Sequence, residues 1–66
     1  MDMDQIGLAL EGIESKTHDC ESAHILEKVL YMDLLRAISK SEVSDPAEAA
    51  ALALTAVDIE FERWFA

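Results

Sequence analysis

Residues 20 to 40, CESAHILEKVLYMDLLRAISK, constrain the fold most, because their apolar side chains recur at helical spacing on more than one side. Ala23, Leu26, Leu30, Leu34, Ala37 and Ile38 follow the three-and-four spacing of one helix face. Ile25, Val29, Met32 and Leu35 form a further set largely round the back, and Glu21, Lys28, Asp33, Arg36, Ser39 and Lys40 interrupt the coverage. A helix this apolar needs more than one packing partner. Lys40 falls in its last turn, where a cation suits the negative end of the helix dipole.

The clearest boundary is SEVSDPAEAA, where Asp45, Pro46 and Glu48 occupy the N-cap, first and third positions of a helix. Asp45 can accept from an otherwise unpaired N–H, Pro46 lacks a donor where none is needed, and Glu48 can reach back to complete a capping box. The main helices are expected at 18–40 and 45–65, joined by a short link near Ser41 to Ser44 into an antiparallel hairpin. In the second of them Ala50, Leu54, Val57, Phe61, Trp64 and Phe65 make the main stripe, and Thr55, Asp58 and Glu62 the adjoining polar strip. Leu52, Ala56 and Ile59 form a second, smaller patch. Across this hairpin Phe61, Trp64 and Phe65 come level with the small Cys20 and Ala23, Lys28 with Asp58, and His24 with Glu62. Tyr31, at the edge of the inner stripe, is expected to pack its ring and expose its hydroxyl.

Residues 1–15 form a short N-terminal helix or arm. Met3, Ile6, Leu10 and Ile13 are spaced for an amphipathic helix, while Gly7 and Gly12 each cost it about 1 kcal/mol relative to alanine. A break is expected near Ser15 to His18.

With 66 residues the chain makes one domain, and a domain of this size buries only about 60% of the surface its unfolded form exposes. Small folds therefore usually add a disulfide, a metal or a partner, and the single Cys20 can form no internal disulfide. A two-helix hairpin covers one stripe of each helix and leaves the second set bare. The expected fold class is all-α: an antiparallel helical hairpin with a short N-terminal helix, dimerising into a helical bundle. Ile25, Val29, Met32, Leu35, Leu52 and Ile59 are the expected homodimer or partner interface.

Fourteen Asp and Glu oppose five Lys and Arg, for a net charge of -9. Nucleic-acid binding requires cations that displace counterions from phosphates, and anionic membranes impose the same demand, so neither is an expected partner. A basic surface on another protein is, with Asp58 and Glu62 as an acidic rim. The segment MDMDQIGLALEGI has acids where a secretory signal carries positive charge, and AAALALTAV falls well short of the roughly 20 residues that span a bilayer. A cytoplasmic protein is expected.

HDCESAH, residues 18–24, gathers two histidines, the cysteine and two acids. Glu21 and His24 make a Glu-x-x-His pair, the unit that di-iron carboxylate bundles use with carboxylates from neighbouring helices, and Glu62 is the candidate third ligand. So short a motif recurs by chance in acidic helices, and this one projects from the less apolar side. Cys20 and His24 supply too few ligands for a structural zinc site, which takes four. A cysteine nucleophile would also need a base and an oxyanion pocket. No cofactor and no enzymatic activity are expected. The leading expectation is a small acidic regulatory or inhibitory protein that binds a partner through apolar helix faces. A metal-binding bundle or a structural subunit of a larger assembly are the alternatives.

Overall fold

The computed structural model describes residues 1–63, which form three α-helices, α1 (Met3–Glu14), α2 (Cys20–Ser39) and α3 (Pro46–Leu54), and a 3-10 turn over Thr55–Asp58. No strand occurs among the described residues, and no helix is long and apolar enough to cross a membrane. Trp64 and Phe65, expected at the end of the last stripe and near Cys20, lie outside the described residues.

Helix α1 starts at a complete capping box. The Asp2 carboxylate accepts from the Gln5 N–H at 2.8 Å, and the Gln5 side chain accepts from the Asp2 N–H at 2.9 Å. It buries Ile6, Leu10 and Ile13, and it packs against both α2 and α3. Ile6 and Ile13, with Leu30 of α2, are the largest fully buried side chains. The core is thus centred on α1, with α2 and α3 closing around it, rather than on a two-helix seam with α1 as an arm.

A turn through Ser15–Asp19 separates α1 from α2, and Asp19 caps α2 by accepting from the Ser22 N–H at 3.3 Å and the Ser22 hydroxyl at 2.8 Å. Its 20 residues run about 30 Å, close to the 34 Å long axis of the molecule. The helix ends on Ser41, whose φ of 58° is left-handed. Ser41 N–H donates to Ile38 O and Glu42 N–H to Ala37 O, so the last carbonyls of α2 are satisfied by a Schellman arrangement.

Helix α3 begins as the sequence implies, with Asp45 accepting from the Glu48 N–H at 3.0 Å and Pro46 at the first position; the return bond from Glu48 is not formed. It ends far short of residue 65. The Thr55 hydroxyl donates to Leu52 O at 2.6 Å, a 3-10 turn follows, and Ile59 is extended. In a continuing α-helix Ala56 O and Ile59 O would accept from backbone N–H groups four residues on. Here the Arg63 guanidinium takes both carbonyls at 2.8 Å, which holds 59–63 as a non-helical strap.

The inward face of α3 also differs from the expected one. Ala49, Ala53 and Ala56 are buried, and Leu52, Ile59 and Phe61 pack partly buried against the core. Leu54 and Val57, placed on the main stripe by their helical spacing, are each 59% exposed. Alanines at 47, 49, 50, 51, 53 and 56 leave the periodicity of this segment nearly flat, and the small Ala49 and Ala53 of α3, with Ala56 of the 3-10 turn, are the side chains it buries.

Candidate interaction surface

Three groups of side chains qualify for a functional role: the outer face of α2, the cleft between α2 and α3, and the polar contact that fastens the strap. On α2 the expected outer set stands in solvent. Ile25, Val29 and Met32 are exposed and Leu35 is 63% exposed, although all four are apolar. Ile25, Val29 and Met32 line a shallow groove together with Lys28, Asp33 and Arg36. Arg36 donates to Asp33 at 3.2 Å along the same helix, an exposed pair that contributes little to stability.

Round the side of α2, Tyr31, Leu34 and Leu35 face Ala50, Ala53 and Leu54 of α3 across an apolar cleft. Leu35 and Leu54 form its exposed lips, and Leu35 joins the cleft to the outer face. The remaining two expected interface residues lie elsewhere: Leu52 and Ile59 pack partly buried against the protein's own core. The reversed facing of α3 turns them inward. Asp58 and Glu62 are exposed, and Asp58 follows Leu54 by about one turn. Lys28 and Asp58, expected at the same level, are not joined by an ion pair.

Sequence reasoning missed the contact between Glu27 and Arg63. Arg63 Nε donates to Glu27 Oε1 and Oε2 at 3.2 Å, and a second guanidinium nitrogen donates to Oε2 at 2.9 Å. The guanidinium also lies 3.8 Å over the Phe61 ring. Glu27 is the one charged residue buried among those described. A carboxylate there is stable only because the guanidinium supplies both charge and donors. A signal for it existed in the sequence, since Ala23, Glu27, Leu30, Leu34 and Ala37 follow one another at four, three, four and three residues. An acid on that inner seam calls for a cation. Nothing in the local pattern points to residue 63 as its source.

Tyr31 also departs from expectation. Its hydroxyl is buried rather than exposed. Burial, and then the Glu27 carboxylate, push the phenol above its usual range, and Arg63 pulls the other way.

The 18–24 cluster does not assemble into a metal centre among the described residues: no group of three or more His, Cys, Asp or Glu is placed to hold an ion. Glu21 and Glu62 are exposed and His24 is half-buried, so the candidate Glu21, His24 and Glu62 set is not drawn together as ligands. Cys20 is a half-buried free thiol at the first position of α2. In comparisons with known proteins, the chain matches no family model, no curated protein and no solved structure.

Proposed function

We propose that this protein is a small helical interaction module, which regulates or inhibits another protein by covering part of its surface, and which works as a homodimer. The observation that carries this reading is the continuous run of exposed apolar side chains from Ile25 through Met32 and Leu35 to Leu54, on a molecule whose inner core is already closed by α1. Such a patch commonly marks a protein–protein contact. The cleft between α2 and α3 suits a partner's apolar anchor, since Leu35 and Leu54 flank a floor of Ala50, Ala53 and Leu34. Asp58 and Glu62 add a negative rim that favours a partner with basic residues beside that anchor. No catalytic role and no cofactor are part of the proposal.

The test is affinity capture with wild-type protein and with Leu54→Glu, followed by identification of bound proteins. Leu54 is exposed, so the substitution leaves the core intact, and far-ultraviolet circular dichroism checks that helicity is unchanged. A partner retained in high salt and lost from Leu54→Glu supports an apolar anchor. A partner set that is identical for both proteins removes the cleft. Binding that disappears with added salt alone assigns recognition to the carboxylates instead.

A further inference from the structure

We infer that the outer groove of α2 is occupied by α2 of a second copy, running parallel about a two-fold axis, with Lys28 of each copy paired to Asp33 of the other. The inference rests on the interaction-module reading and adds which face the copies share, their orientation and their register.

Charge distribution selects the face. Two of the chain's five cations, Lys28 and Arg36, are exposed on α2 and a third, Lys40, is exposed at its C-cap, against the exposed acids Glu21 and Asp33 on the helix. Glu27 is buried against Arg63. All the other acids are exposed on the rest of the surface, where Lys16 is the one further cation. Two molecules of net charge -9 therefore repel through every surface except the outer side of α2, which is close to neutral and apolar. A basic partner is drawn to the remaining surface, so this groove is left to a molecule with a near-neutral apolar face of its own. A second copy has one.

The groove's spacing selects the orientation. Ile25, Val29, Met32 and Arg36 succeed one another at four, three and four residues, the seam of a two-helix contact. Lys28 flanks that seam immediately before Val29, and Asp33 flanks it on the other side immediately after Met32; both line the groove. In a parallel pair, residues at those two flanking positions and five apart meet across the interface, so Lys28 and Asp33 form two symmetric opposite-charge contacts. In an antiparallel pair each flank meets its own kind, and Lys28 and Asp33 do not pair. Arg36 closes the seam with its charge already met by Asp33 of its own helix at 3.2 Å. Because the cleft lies to one side of α2, the two-fold axis sets the two clefts on opposite sides of the dimer. Each dimer then presents two equivalent partner sites.

Sedimentation equilibrium of the full chain tests this with wild-type, Met32→Glu, Lys28→Asp, Asp33→Lys and the double exchange. Wild-type protein is expected at twice the monomer mass of 7.3 kDa. Met32→Glu is expected to be monomeric with unchanged helicity. Each single charge exchange places like charges together twice and should weaken the dimer by about tenfold, whereas the double exchange, which restores both cross-pairs but leaves Arg36 without its Asp33 partner, should dimerise about threefold or more better than Asp33→Lys. Wild-type protein that stays at the monomer mass, a dimer indifferent to Met32→Glu, or a double exchange no better than Asp33→Lys overturns the inference. Capture with Leu54→Glu reads the module independently: a monomer that still loses its partner on that substitution keeps the interaction function and removes only the second copy.

Discussion

At the level of single residues, Glu27 and Arg63 join the one buried charge among the described residues to a guanidinium. The pair is bidentate, the Glu27 side chain is 10% exposed, and Arg63 also donates to Ile59 O and to Ala56 O, the latter shared with the Ile59 N–H. Arg63→Ala should destabilise the protein by about 2–3 kcal/mol in urea denaturation, because it strands a buried carboxylate. Adding Glu27→Leu to that variant should recover most of the loss, since it removes the stranded charge itself. Asp19 behaves differently because it is exposed. The Ser22 hydroxyl, and then the Ser22 N–H, hold its carboxyl below the ordinary range. The folded-state value lies below the unfolded one, so the capping contribution is fully present above the unfolded value and is lost as pH falls through the folded one. A proton-detected titration should find Asp19 at a lower midpoint than in Ser22→Ala, with amide exchange at the start of α2 rising at acid pH.

The helices and their ends allow sharper expectations. A methyl group built onto either Gly7 or Gly12 meets open space, and neither glycine has a positive φ. Gly7→Ala and Gly12→Ala should each stabilise by about 0.5–1 kcal/mol in thermal or urea unfolding. Ser41→Gly should also stabilise, by about 1 kcal/mol, since serine occupies a left-handed position that glycine adopts without a steric penalty. What could be read from the sequence divides along the same lines. The start of α3 is legible because Asp45 and Pro46 act locally, and the span of α2 because apolar residues keep helical spacing from Ala23 through Leu30 and Leu34 to Ile38. The facing of α3 is not legible, since alanines nearly all round it erase the contrast between inside and outside. Its early end is illegible for another reason: it depends on a guanidinium several residues on that also reaches back to Glu27. The outer set Ile25, Val29, Met32 and Leu35 was readable from spacing alone, whereas Leu52 and Ile59 inherited the error in α3.

For the whole molecule, the uneven charge matters more than its total. Most of the exposed acids lie off α2, whose exposed charges nearly balance, so on the proposed reading solubility and association belong to different regions. If two copies join there, unfolding is linked to dissociation, and the midpoint of thermal unfolding should rise with protein concentration while that of Met32→Glu stays fixed. Differential scanning calorimetry over a hundredfold concentration range, about two decades, reads both. The strap has a temporal consequence as well. Synthesis proceeds from the N-terminus, and 36 residues separate Glu27 from Arg63. Until Arg63 has been made, Glu27 lacks the cation that contacts it, so the packing of α2 around that acid is expected to tighten only once the arginine is present.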